Sequence, residues 1–196
     1  MKKPLLLLLL VVPLSVVSGY FLGDLLRADP DFHDLRINPV ADYVELIDVS
    51  HPAVLNLARQ FRSYEDAYHF VSNEIRFVPF VPPGPVDKTL EHGVGSCLGK
   101  AALLSSLYRA MGMPAEDIRM VMGIVMTPQG LSDHVWLDLE HEGRCLQQDP
   151  SGMLGRFAFD EFPGTRYAES YVMKESFAFN DTGFAVVSQL NRFRDK

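Results

Sequence analysis

A cysteine stands at the first position of a helix whose composition suits only a buried one. Gly93-Val94-Gly95-Ser96 forms a tight turn, and from Cys97 to about Ala110 the apolar residues Ala101, Leu104, Leu107 and Tyr108 recur at helical spacing. Gly112 and Pro114 end the run. A thiol placed there faces the free backbone N–H groups of the first turn and the positive end of the helix dipole. Both favour the thiolate. The same N–H groups can hold an oxyanion. Taken alone, Cys97 reads as a buried structural cysteine, and its meaning depends on what the chain brings to it.

Downstream the apolar period changes from helical to alternating. Ile118–Met126 is an apolar run of strand length, Asp133–Glu140 alternates, and Arg144–Asp149 is its expected hairpin partner. In the first hairpin strand His134, Trp136 and Asp138 point one way and Val135, Leu137 and Leu139 the other; in the second, Cys145, Gln147 and Asp149 share a face. With His141-Glu142 as a two-residue loop, Glu140 pairs with Gly143 and His134 lies directly opposite Asp149. Opposed residues have Cβ atoms about 5 Å apart, which suits a carboxylate holding an imidazole in one tautomer. Three roles follow: Cys97 attacks a carbonyl carbon, His134 takes the thiol proton and later returns it to the leaving group, and Asp149 orients the imidazole. Trp136, on the His134 face, and Ser96, beside the nucleophile, are candidate substrate contacts.

Upstream, residues 23–50 read as an irregular arm, and Pro52–Arg62 as a helix. Ser63 is the expected N-cap of a second helix with Ala67, Phe70, Val71 and Ile75 on its apolar face. Four prolines make Val78–Pro85 a loop. Beyond residue 156 the chain is rich in aromatics, which are expected to close over the sheet.

Gly93–Cys97, followed by Lys100-Ala101-Ala102-Leu103-Leu104, Leu107 and Arg109-Ala110-Met111-Gly112-Met113-Pro114-Ala115, resembles the nucleophile block of the transglutaminase-like superfamily. Asp133-His134-Val135-Trp136 resembles its His-x-Trp strand, and Gln148-Asp149-Pro150-Ser151 its Asp-Pro-Thr/Ser end. The three motifs occur in order, and the resemblance places the core of the domain at residues 60–155, about half of the chain. The resemblance implies a papain-like α+β core, in which a Cys-bearing central helix packs on an antiparallel sheet carrying His and Asp. A domain over residues 51–196 is expected on this basis. Two departures bear on substrate class: Cys145 stands where the family often has Trp four residues before the acid, and Leu98 and Gly99 stand where an acidic residue often follows the nucleophile.

The net charge of −7 gives no general attraction for phosphate backbones, so nucleic acid is not an expected partner. No histidine spacing matches a metal site, and thiol chemistry requires neither metal nor cofactor. Lys2 and Lys3 precede an uncharged apolar stretch from Pro4 to Leu22, close to the roughly 20 residues that cross a bilayer. The expectation is a signal-anchor holding an exported domain at the inner membrane, facing the periplasm; a cleaved signal peptide, giving a periplasmic or secreted protein, is the alternative. In an oxidising compartment the two cysteines leave a Cys97–Cys145 disulfide open, which would block the nucleophile. The expected activity is thiol-dependent acyl transfer, hydrolysing a peptide or amide bond of a protein or peptide through a thioester. A transglutaminase, in which an amine resolves the same thioester, and a non-catalytic peptide-binding envelope protein are the alternatives.

Overall fold

The computed structural model describes residues 43–79, 81–82 and 84–186. The expected anchor at 4–22 and the arm before residue 43 lie outside them. Helix α1 (Pro52–Ala58) starts with proline at its first position, and the His51 imidazole accepts the Ala53 amide. It ends short of the expected Arg62. Helix α2 (Tyr64–Glu74) opens with a full capping box: Ser63 Oγ accepts the Asp66 amide and Asp66 Oδ2 accepts the Ser63 amide, both at 3.1 Å. Short strand β1 (Arg76–Phe77) pairs in parallel with β2 (Val94–Gly95). Between them the proline-rich loop leads to α3 (Val86–His92), which Gly93 terminates in the left-handed conformation at φ 61°.

Helix α4 (Cys97–Ala110) has the expected bounds. Every residue from Leu98 to Tyr108 is buried, which is why the stretch carries no polar face. The sheet follows: β3 (Ile118–Thr127), β4 (Gly130–His141), β5 (Arg144–Gln148), β6 (Phe162–Pro163), then helix α5 (Arg166–Tyr171), β7 (Val172–Asn180) and β8 (Gly183–Val186). The spatial order is β6-β5-β4-β3-β7-β8, antiparallel throughout. The fold is α+β, with the cysteine-bearing helix packed on an antiparallel sheet.

Alternation along the strands makes two cores. Met120, Val135, Leu137 and Leu139 pack with Leu103, Leu104 and Leu107 of α4 and with Tyr68 and Val71 of α2. Val121, Val125 and Trp136 point the other way and pack with Phe162, Tyr167 and Ala178. Phe157, Phe162, Tyr167 and Tyr171 therefore close over the second face of the sheet, whereas Phe159, Phe177, Phe179 and Phe184 join the first core. At the far end of α4, Arg109 grips Asp181 through two hydrogen bonds of 2.8 and 3.0 Å and also donates to the Met113 carbonyl. This clips the helix to the β7–β8 turn.

The β4–β5 hairpin departs from the expected register. Glu140 pairs with Cys145 and His141 with Arg144, so the loop is Glu142-Gly143, with φ 52° and 70°. Two positive φ values define a type I′ turn, for which glycine at the second position is apt. The register is displaced by two residues. An even displacement leaves every side chain on its original face. The ladder ends at Leu137–Gln148, so Asp149 meets His134 from a segment that has already left the sheet.

On the other side of β3, strand β7 carries two extra residues, Ser176 and Met173, and bends around Gly123. A Cβ at residue 123 would lie 2.1 Å from the Lys174 carbonyl oxygen and 3.0 Å from the Trp136 ring. Gly123 is the ladder partner of His134, so the close approach sits directly beside the residue of greatest chemical interest.

The expected placement as an inner-membrane-anchored protein facing the periplasm requires correction. No helix among the described residues is long and apolar enough to cross a membrane. The 14 residues of α4 reach about 21 Å, against a hydrocarbon core of about 30 Å.

Gly123→Ala is expected to lower the unfolding free energy by about 1–3 kcal/mol, because backbone must move to admit the methyl group. Gly84→Ala, where a Cβ meets nothing within 4 Å, should stay within about 0.5 kcal/mol of the parent. Urea unfolding of both variants measures this; equal stability would mean that β7 yields freely.

Candidate active site

The turn before α4 is held by β1: Arg76 N–H donates to the Gly93 carbonyl at 2.9 Å and Val78 N–H to that of Gly95 at 3.0 Å. Ser96 then caps the helix, its hydroxyl accepting the Gly99 amide at 3.3 Å and its carbonyl the Lys100 amide at 2.9 Å. Cys97 is half-buried at the first helical position with its thiol free.

His134 Nε2 lies 2.9 Å from Asp149 Oδ2, and both side chains are 0% exposed. The same oxygen accepts the Tyr167 hydroxyl at 3.0 Å, and Oδ1 accepts the Ser151 amide at 2.9 Å. Both carboxylate oxygens are thus engaged by donors that replace water. Nε2–H donates a hydrogen bond to the Asp149 carboxylate, which leaves Nδ1 as the imidazole's exchangeable position. Nδ1 has no hydrogen-bond partner among the described residues. Cys97 acts on this ring.

The electrostatics follow from these contacts. Burial pushes the His134 imidazole down, but the Asp149 charge and hydrogen bond, reinforced by Cys97, outweigh it and raise the ring to about 9. Burial pushes Asp149 up, and His134 and Ser151 bring it below the ordinary carboxylate value. Burial and the Asp149 charge together raise Tyr167, which keeps its proton as a donor.

Two adjacent glutamines aim Asp149. Gln148 accepts the Tyr108 hydroxyl of α4 and donates to the Phe159 carbonyl, both at 2.8 Å. Gln147, on the opposite face, donates to Asp138 and accepts the Ala168 amide of α5, both at 2.9 Å. One glutamine ties the end of β5 to the nucleophile helix, the other to the helix that carries Tyr167.

Of the residues singled out from sequence, Cys97, His134 and Asp149 come together. Ser96 is adjacent, but its hydroxyl is committed to the helix cap. Trp136 is fully buried beneath the pair, 5.7 Å from the Tyr167 ring centre, and presents no surface to a groove. Cys145 is exposed at the opposite end of the hairpin, across from Glu140. Both cysteines are free, so the disulfide alternative is not realised. Tyr167, Lys100 and the two glutamines were not identified from sequence. Tyr167 is one of several aromatics in a stretch without a period, so nothing local distinguishes it. Among the described residues no three metal-ligating side chains converge. Two cavities, of about 590 and 390 Å³, lie elsewhere, the first beside Tyr64 and His141, the second beside Leu139 and Cys145.

A family model described as the transglutaminase-like superfamily matches residues 53–150. No curated protein matches the chain. Among solved structures, EGTA-treated LapG of Legionella pneumophila is similar at 14% identity and a TM-score of 0.49, covering 74% of this chain and 88% of that one. Its calcium-bound form is similar at 13% identity and a TM-score of 0.48, covering 69% and 86%. A candidate cysteine protease from Cytophaga hutchinsonii is similar at 14% identity and a TM-score of 0.47, covering 84% of this chain and 55% of that one.

The raised His134 value has a definite sign in stability. A group whose folded value exceeds its unfolded value of about 6.5 stabilises the fold fully below that pH. The contribution is then lost as pH rises through about 9. The stability advantage of the parent over His134→Gln, read by urea unfolding from pH 6 to 10, should shrink across that window with a slope approaching about 1.4 kcal/mol per pH unit. A pH-independent difference would exclude a buried ion pair.

Proposed function

The chain belongs to the transglutaminase-like superfamily, and from that premise we propose that it is a thiol-dependent acyl-transfer enzyme that hydrolyses a peptide or amide bond in a protein or peptide. The reading rests above all on the buried His134–Asp149 pair, whose unpartnered Nδ1 is left to serve Cys97.

Nδ1 takes the Cys97 proton, and Sγ attacks the carbonyl carbon. Ser96 occupies the amides of Gly99 and Lys100, which leaves those of Cys97 and Leu98 to receive the oxyanion at the positive end of α4. As the tetrahedral species collapses, the C–N bond breaks and the imidazolium gives its proton to the departing amine. The thioester is then attacked by water, whose proton goes to Nδ1; the C–S bond breaks, the acid product leaves, and Nδ1 returns the proton to Sγ to regenerate the thiol. Asp149 remains ionised throughout and fixes the ring.

The test is alkylation of Cys97 by iodoacetamide against pH, in the full chain carrying Cys145→Ser, with and without His134→Ala. The expected result is a reactive plateau beginning well below about 8.5, the ordinary thiol value, and absent from the His134→Ala protein. Ordinary thiol behaviour in both proteins sinks the catalytic reading and favours a peptide-binding role. If the plateau is found, incorporation of an amine into a glutamine peptide in place of hydrolysis would reassign the enzyme as a transglutaminase.

A further inference from the structure

Lys100, one turn into α4, is a buried cation that the reaction above does not use. It is 1% exposed. Its ammonium donates to three backbone carbonyls: Ile75 at 2.6 Å, and Ser72 and Ser151 at 3.3 Å each. Its hydrogen bonds are satisfied, yet none of these partners carries a formal charge. Two features answer the charge. Ser72 and Ile75 lie at the C-terminal, negative end of α2. Asp149, two residues before Ser151, pulls electrostatically on the ammonium. Burial pushes Lys100 down to about 8, with Arg156 adding to the effect, so it holds its proton at neutral pH. The stem is accommodated because residue 95 has no side chain: a Cβ there would lie 3.2 Å from Lys100 Cγ and 3.2 Å from Thr89 Cγ2.

A count of charges gives the ammonium a purpose. Thiol, imidazole and carboxylate sum to one negative charge. Thiolate, imidazolium and carboxylate give the same sum, as do the oxyanion state and the thioester. At every step the site holds one unbalanced negative charge, where the side chains of His134 and Asp149 are closed to water. An uncompensated charge in such a place is strongly unfavourable.

We propose that Lys100 is a positioning residue that supplies the balancing positive charge for Asp149 and, through Ser151, fixes the acid segment to the nucleophile helix. The proposal deepens the hydrolase reading and rests on it for its role in the reaction. It makes the site electrically neutral at each stage, with four residues instead of three.

The test is a double-mutant cycle on the full chain, comprising Lys100→Met, Asp149→Asn and the pair, read by the urea unfolding midpoint. If the two charges compensate each other, Lys100→Met shifts the midpoint far more in the parent than in the Asp149→Asn protein. A grip on backbone carbonyls alone would not depend on the side chain at position 149. In the Cys145→Ser protein, Lys100→Met should also move the pH profile of Cys97 alkylation upward, since the positive charge balancing the site is lost. Either an additive cycle or an unshifted alkylation profile overturns the proposal. If Lys100→Met alone does not fold, a folded double variant supports it and an unfolded one overturns it. The cycle is read without any reaction at Cys97. An unreactive Cys97 in the parent therefore counts against the proposed function, whereas an additive cycle beside a reactive Cys97 removes the Lys100 assignment alone.

Discussion

A carboxylate with no exposed surface stays ionised only where protein groups stand in for water. Asp149 imposes that requirement on the elements around it. His134 from β4, Tyr167 from α5 and the Ser151 amide fill its lone pairs. Gln147 and Gln148 set its direction, and α4 contributes both Tyr108 and the nearby ammonium of Lys100. Remove the acid and the reason for this convergence disappears: the two faces of the sheet would be packed by unrelated sets of apolar residues. The site is therefore the seam between the two cores.

The parts of this arrangement legible in the sequence are those governed by short-range periodicity. The bounds of α4 follow from a helical apolar period between a glycine turn and Gly112-Pro114, and they agree with the structure. The pairing of His134 with Asp149 is reached from the sequence through an incorrect register. The loop falls on Glu142-Gly143 because glycine accepts positive φ there, and the error of two residues does no harm because faces repeat every two. Trp136 shows the limit of such reasoning. Alternation gives its face correctly, but that face is covered by Phe162 and Tyr167, whose segment has no period to place it. Tyr167 and Lys100 acquire their meaning from partners 18 and 51 residues away, a separation that local patterns do not encode.

The two departures from the family's pattern have physical explanations in this fold. Leu98 and Gly99 are buried in the first turn of α4, and a Cβ at residue 99 would touch the Thr89 hydroxyl at 3.4 Å. These positions serve packing against α3. Cys145 lies on the exposed end of β5, four residues of extended chain from Asp149, so its substitution for an aromatic alters the rim of the hairpin and leaves the buried pair untouched.

Helix α5 is the slenderest of the supports. It has six residues, its first turn has no side-chain cap, and the Gln147 side chain holds its Ala168 amide. Yet it carries the hydroxyl that helps keep water away from Asp149. Short elements of this kind open locally at lower free energy than the fold as a whole. A transient fraying of residues 166–171 would hydrate the acid and relax the grip on the imidazole while the sheet and α4 stay intact. The ionisation of the buried acid thus depends on one and a half turns of helix staying closed over it.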